Sequence, residues 1–576
     1  MNRTFTTDEI RKCINKLKNN KAYGLDLILN EYIKVSVDMM LPVYVKLFNI
    51  ILDTGVIPSN WLEGLIKPLY KNKGERNDCN NYRGITILSC FGKLFTAVLN
   101  ERLGSFLESN NILGKEQAAF RTEHATLDHI FAIQCLLDLY LSRKKRLYCC
   151  YVDYRKAFDS IERVRLWQKL LATNIDGRFF KLIFNLYKGA KSCVSNGRKA
   201  NPSSFFNCDI GVRQGENLSP VLFSLFLNDL ESFISGRCEG LEYLKEKMNE
   251  QLSDDELSGF VKLFMLLYAD DTVLFADSPN DMQQALDAMF DYCNINKLSV
   301  NVGKTKMMVF SRGKIRNIPR FTLGEQVVEV VFSYKYLGVL FNYNASFVPN
   351  LKALSTVATK AMFALIQKGR NKFLDIDTLI HLFDCIVKPI LLYGSEIWGY
   401  CNIDILERVQ RRFLKIILKL NRNTPTNMVY GEVGCYPLSV SVKSRMISFW
   451  HKLVTTKKAK ISSILYLFMY KLHCSNDNIS KWLLFVKKVL DDAGLSFVWL
   501  NQGQNMSTEW LKQTLKQKLA DQFVQEWHSE VDKSSTCINY RIFKNDFAFE
   551  NYINVLPMKY RIIFSKFRCR NYKIRI

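Results

Sequence analysis

Two adjacent acids, Asp270 and Asp271, stand between apolar runs in LLYADDTVLFADS. A turn between buried strands has no need of doubled negative charge, whereas a bound cation would explain it. Two-metal sites hold two divalent cations about 3.5–4 Å apart between carboxylates, and stabilise both the attacking and the leaving oxygen of a displacement. Hard oxygen ligands suit Mg2+. The bland reading is a solvated acidic turn. Neighbouring strand residues point to opposite faces, so Asp270 is the better direct ligand and Asp271 the more variable one. A third carboxylate, Asp153, closes the apolar run LYCCYV at the start of YVDYRKAFDSIER. Its rival, Asp159, reads as a cap for a helix beginning near Ser160.

The elements that must position these acids follow from periodicity and punctuation. RLYCCYVDY is a strand ending at a carboxylate, and VKLFMLLYADDTVLFADS is a hairpin, although Asp-Asp is not the turn that propensity favours. Thr6 or Thr7, followed by Asp8 and Glu9, opens a helix whose apolar face is Ile10, Cys13, Ile14 and Leu17. Residues 31–52 form another helix, ending near Gly55 and Pro58. LEGLIKPLYKNKGERNDCNNYRGITIL reads as strand, basic loop and strand, followed by helices over FGKLFTAVLNERLGSFLES and about 124–142. Ser219 caps a helix with Pro220 at its first position. A helix at 280–296, a strand in LSVNVGKTKMMVFSR and a hairpin within 326–342, with Gly338 near its end, come next. Beyond about residue 350 the chain is mainly helical.

Composition sets the class of partner. Hydrophobic residues make up 48% of the 576, which excludes a disordered chain and allows several cores. Lys and Arg number 80 against 55 Asp and Glu, a net charge of +25. That excess attracts polyanions, nucleic acid first, with anionic membranes as the alternative. The 16 cysteines are irregularly spaced and form no zinc-ligand pattern with the six histidines. They read as reduced thiols of an intracellular protein. The N-terminus lacks the apolar core of a signal peptide, and no run reaches the ~18–20 apolar residues of a membrane span. A soluble nuclear or cytoplasmic protein, with no membrane partner, is expected.

Six stretches, NYRGITIL, YVDYRKAFDSIE, GVRQGENLSPVLFSLFLNDL, LLYADDTVLFADS, VNVGKTKMMVFSR and YKYLGVLF, resemble in order the motifs of reverse transcriptases from non-LTR (LINE-type, jockey-like) retrotransposons. The resemblance covers about 60–342. It implies an α+β right-hand polymerase fold: fingers, an antiparallel-sheet palm and a helical thumb, with a mainly helical C-terminal region. It makes Asp153, Asp270 and Asp271 the ligands of two Mg2+ ions, with Mn2+ as a substitute. Phe158, five residues after Asp153, takes the place of a steric gate against a ribose 2′-OH. Arg83, Lys71 and Lys73 fall in the region that grips the incoming dNTP; an Arg fork binds phosphate bidentately. Gln214 and Gly215 match the loop over the nascent base pair, with Arg213 beside them as a template–primer contact, and Gly215 would allow close backbone approach. Glu216-Asn217 departs from the commoner residues of that motif. Lys304 matches a general acid for the leaving pyrophosphate. Tyr336, Leu337 and Gly338 match a hairpin that holds the primer end.

Two basic segments lie outside those motifs. RVQRRFLKIILKLNR, 408–422, contains no acid, and Arg408, Arg411, Arg412, Lys415, Lys419 and Arg422 fall near one helical face. Beside a polymerase palm it reads as a thumb helix following the template–primer, with salt-sensitive, sequence-independent contacts. The tail after Pro557 has seven basic residues, no acid and interleaved aromatics, which suits stacking on single strands.

The expected divisions are an N-terminal helical extension (1–58), the reverse transcriptase domain (59–342), a thumb-like region (343–440) and a basic C-terminal region (441–576). The expected activity is RNA-directed DNA synthesis from a primer 3′-OH. Template RNA, a DNA primer or nicked target DNA, and dNTPs would be the partners. Rival readings are a catalytically silent nucleic-acid-binding remnant and a viral-type RNA-dependent RNA polymerase. Full elements of this kind carry an endonuclease ahead of the polymerase, so the chain is expected to be a fragment or a truncated open reading frame.

Overall fold

The computed structural model describes residues 1–195, 202–253, 265–313, 317–456, 460–475, 477, 479–502, 504 and 506–569. Among the described residues twelve strands, β1 to β12, form three sheets. A four-stranded sheet, in the order β2-β1-β4-β5, joins Glu63–Tyr70 (β1), Tyr82–Ile87 (β2), Lys191–Val194 (β4) and Phe206–Asn207 (β5). The central sheet has six strands: Leu147–Val152 (β3), Met265–Tyr268 (β6), Asp271–Ala276 (β7), Lys306–Phe310 (β8), Phe321–Leu323 (β9) and Gln326–Val330 (β10). Their order is β6-β7-β3-β8-β10-β9, antiparallel except for the parallel pair β8 and β10. Ser333–Tyr336 (β11) and Val339–Asn342 (β12) form a separate hairpin.

LYCCYV has no polar alternation because both faces of β3 are covered. Leu147, Cys149 and Tyr151 enter one hydrophobic cluster, while Tyr148, Cys150 and Val152 enter the other. Strands β7 and β8 alternate in the same way: Val273, Phe275, Met308 and Phe310 on one side, Leu274, Ala276, Met307 and Val309 on the other. The sheet is thus a partition. Behind one face lie the N-terminal helices with Cys90–Ser109 and Pro279–Ile295. Behind the other lie Thr126–Ser142 and the helices from Val348 onwards, in one continuous core.

Local sequence explains several boundaries. Thr6 and Glu9 close a capping box on Thr7–Asn15. Ser278 caps Pro279–Ile295, with its hydroxyl accepting from Asp281 N. All cysteines of the chain are free thiols, most of them buried.

Four element readings need correction. The helix expected over 31–52 is two, Asn30–Val35 and Val37–Thr54, broken at Ser36. Ser219 lies inside its helix rather than capping it, because its hydroxyl donates to Arg213 O at 2.7 Å. The hairpin is only β11–β12, since β10 joins the central sheet, so Gly338 lies in the turn itself. The basic helix spans Asp404–Ile417, and Lys419, at φ 58, ends the helical face.

Candidate active site

Strand register brings the three acids together. Val152 pairs with Thr272, and Tyr268 pairs with Asp271, so Asp153 emerges at the sheet edge that carries the turn Ala269-Asp270. Ala269 has φ 58, in the left-handed region that costs a residue with a side chain about 1–2 kcal/mol. A side chain absent from the sequence reading supports this turn. Gln117 is buried, and its Oε1 accepts from Ala119 N at 3.1 Å and from Ala269 N at 3.4 Å. Asp153 is held by its own backbone: Asp153 N donates to Thr305 Oγ1 at 3.2 Å, and Asn301 N donates to Asp153 O at 2.7 Å. Those contacts also bring the 301–305 loop under the site, with Lys304 Nζ 3.5 Å from Asp153 Oδ2.

The acids burden one another. Packing around Asp270 raises its pKa, and the charge of Asp153 raises it further, against the opposing pull of Arg83 and Lys304. Asp271 is pushed up to about 6 by burial, then by Asp270 and Asp153. Asp153 Oδ2 is buried without a hydrogen-bond partner. Clustered carboxylates, with Asp153 Oδ2 hydrogen-bonded to nothing and met by the Lys304 ammonium at 3.5 Å, fit a hard divalent cation. Among the described residues no three His, Cys, Asp or Glu side chains are grouped so as to hold a metal ion between them.

Around the acids, Phe158 stacks on Phe223 with centroids 4.6 Å apart, and Val212 N donates to Phe158 O at 2.8 Å. Gln214 Nε2 donates to both oxygens of Asp159, at 3.0 and 3.2 Å, so Asp159 anchors this loop and caps no helix. Gly215 has φ +108, and a Cβ there would lie 2.6 Å from Thr86 O, so only glycine fits against β2. Arg213 is placed differently from expectation. Its guanidinium is buried and donates to the carbonyls of Trp61 and Leu62, which makes it an internal strut. Arg83 is exposed on β2 opposite Leu69, close enough to act on Asp270. Lys73 is exposed on the β1–β2 loop, whereas the Lys71 ammonium donates to Asn80 O at 2.8 Å.

Residues 70–341 match the family described as reverse transcriptase (RNA-dependent DNA polymerase). The chain carries a reverse transcriptase domain. The RNA-directed DNA polymerase from mobile element jockey of Drosophila funebris is 26% identical over 442 residues, 75% of this chain and 45% of that protein. The probable RNA-directed DNA polymerase from transposon X-element of Drosophila melanogaster is 24% identical over 70% of this chain and 43% of its own length. The chain therefore spans under half the length of these curated relatives. Among solved structures, apo telomerase from Candida tropicalis aligns with 77% of this chain and 70% of that one at 12% identity, but with a TM-score of only 0.34.

The chain has the right-hand polymerase fold and is similar to RNA-directed DNA polymerases of mobile elements. Its palm is the six-stranded sheet, antiparallel but for one pair. Reverse transcriptases are in general dependent on divalent metal. Tyr336, Leu337 and Gly338 sit beside the palm. Tyr336 is buried with its hydroxyl 3.3 Å from His129 Nδ1, Tyr393 Oη donates to Leu337 O at 2.7 Å, and a Cβ on Gly338 (φ +88) would strike the Tyr393 ring. Tyr334, two residues earlier on β11, was not singled out from sequence. It stacks on Tyr151 at 4.2 Å, and its phenol is pushed up to about 12 by burial and by Asp271 and Asp153. The period-two alternation that puts Tyr334 on the face of Tyr336 was the available signal.

Farther out, Arg370, Arg408, Arg411, Arg412, Lys415 and Arg422 line a groove of about 1000 Å3 between Val348–Asn371 and Asp404–Ile417. Burial and Arg411 lower the pKa of Lys415, and burial and Arg370 lower that of Lys419. One correction concerns charge: Asp404 opens this helix and pairs with Arg408 and Arg411, each at 2.6 Å. Another concerns the tail, where Arg568 is buried against Glu432 at 3.1 Å and Glu550 at 3.2 Å. The tail residues 570–576 lie outside the described residues. No helix among the described residues is long and apolar enough to cross a membrane.

Proposed function

We propose that the chain is an RNA-directed DNA polymerase that extends a DNA primer, or the 3′-OH of nicked target DNA, on a template RNA. The observation that carries this reading is the set of three acids converging on one edge of a reverse transcriptase palm, where burial and then Asp153 raise the pKa of Asp270, and burial and then both of them raise that of Asp271. Asp153 and Asp270, with Asp271, would hold two Mg2+ ions, or Mn2+ in their place, which when bound activate the primer hydroxyl and steady the triphosphate.

The protein's own groups do the rest. Arg83 grips the dNTP phosphates with its fork, and Lys73 adds charge from the adjoining β1–β2 loop. Lys71 shapes that loop through Asn80. Lys304, already beside Asp153, can give a proton to the departing pyrophosphate. Phe158, backed by Phe223, excludes a 2′-OH by volume. Gln214 and Gly215 present a close backbone surface to the nascent pair, held from behind by Arg213. The turn at Tyr336, Leu337 and Gly338 sets the primer end, and Arg408, Arg411, Arg412 and Lys415 follow the duplex backbone. The work is done inside the cell, in nucleus or cytoplasm.

Primer extension on an RNA template with Mg2+ tests the reading. Deoxynucleotide incorporation is expected. Ribonucleotide incorporation at matching rates would point to an RNA polymerase, and binding with no extension to a silent remnant.

A further inference from the structure

The helix Met558–Arg568 is fixed on one side and uncovered on the other. On the inner side, Ser565 and Arg568 are buried, Tyr552 and Ser565 join their hydroxyls at 2.9 Å, and Arg568 pairs with Glu432. On the outer side, Tyr560, Ile563, Phe564 and Phe567 stand at helical spacings on one face, with Tyr560 60% and Phe567 45% exposed. With Leu556 they line a surface hollow of about 370 Å3. Lys559 and Lys566, one heptad apart, run along a flank of this row. The chain contains no acid after Glu550, and Glu550 itself is engaged by Arg568 and Lys544.

An apolar row alone would suit another protein, but cations along its flank select a polyanion with apolar faces. Phe543 and Tyr552 steady Phe567 and Phe564 edge-on, at 5.6 and 4.8 Å, so the rings are pre-set. We propose that Tyr560 and Phe567 form a stacking platform for single-stranded nucleic acid, with Lys559 and Lys566 meeting its phosphates. Stacking uses the faces of the bases, so the platform is indifferent to sequence and sugar. It lies outside the palm and the thumb groove, and serves to hold a strand not engaged in the active site.

The test uses the full chain. Fluorescence anisotropy compares 12-nucleotide oligouridine, oligothymidine and a blunt duplex, and a thiouridine-labelled oligomer maps the contact by photocrosslinking. Expected are binding of both single strands, crosslinks to Tyr560 or Phe567, and roughly a 5- to 100-fold affinity loss for each ring removed in Tyr560→Ala and Phe567→Ala. Tyr560→Trp should restore binding. Extension of a hairpin primer–template with no free single strand should be unchanged, so a chain that fails to polymerise overturns the enzyme reading without touching this one. The platform is refuted if the alanine variants bind as the parent does, if Tyr560→Trp fails like Tyr560→Ala, if the duplex loses affinity equally, or if the variants alter only self-association.

Discussion

The palm edge and the basic groove carry concentrated charge of opposite sign. In the palm, burial and then neighbouring carboxylates raise the pKa of Asp270 and Asp271; in the groove, burial and then Arg411 lower that of Lys415. In the proposed function a ligand of opposite charge relieves each surface, cations in one and phosphates in the other. The two differ in how the charges are held. The palm acids are placed by strand register and by backbone bonds such as Asp153 N to Thr305. The groove cations stand at the ends of long side chains, with Arg408 70% exposed. Short acids on a fixed backbone suit chemistry that fails when an atom moves by an ångström. Long cations suit a polymer that must slide past in any sequence.

That contrast can be broken in graded ways. The largest effect is expected from Asp153→Ala, which should lower single-turnover extension by about 10^3-fold or more while leaving primer–template affinity nearly intact. An equal loss of both would erase the division between chemistry and grip. Next, Arg408→Gln, Arg412→Gln and Lys415→Gln combined should weaken primer–template binding and flatten its salt dependence by up to about 0.9 per lost contact, with extension at saturation unchanged. A parent-like salt slope would remove the groove from the duplex path. Phe158→Ala should reduce discrimination against ribonucleotides by about tenfold or more, measured as a ratio of kcat/KM values. An unchanged ratio would leave Phe158 as a packing partner of Phe223.

The smallest effect concerns the join between the regions. Asp138, on Thr126–Ser142, accepts from Ser480 and Gln134, and burial pushes it up to about 7. Its folded pKa is above the unfolded value, so its contribution to stability is complete in acid and is lost as pH rises through about 7. Asp138→Asn should flatten that part of the Tm against pH curve; a curve identical to the parent's would show that other groups set it.

Much of this was legible in the sequence where a residue's partner is near in the chain. The run LYCCYV, the acid pair after Tyr268, and Thr6 with Glu9 announced a buried strand, a hairpin turn and a cap. Misreadings fell where a distant partner decided. Arg213 is basic beside a nucleic-acid motif, yet the carbonyls of Trp61 and Leu62 draw it inward. Residues 326–330 fall in the range read as holding the hairpin, but they pair with β9 and β8 in the central sheet. Arg568 belongs to a basic tail, yet Glu432 is buried opposite it. Gln117 carried no signal at all, because nothing local shows that it runs beside β6.

The central claim is that the acids at the palm edge perform the chemistry. Its most direct test is single-nucleotide extension of one primer on one RNA template with Mg2+, comparing the parent with Asp270→Asn at matched primer–template occupancy. The account predicts that the parent extends and Asp270→Asn stays bound but does not; extension by Asp270→Asn at the parent's rate would contradict it.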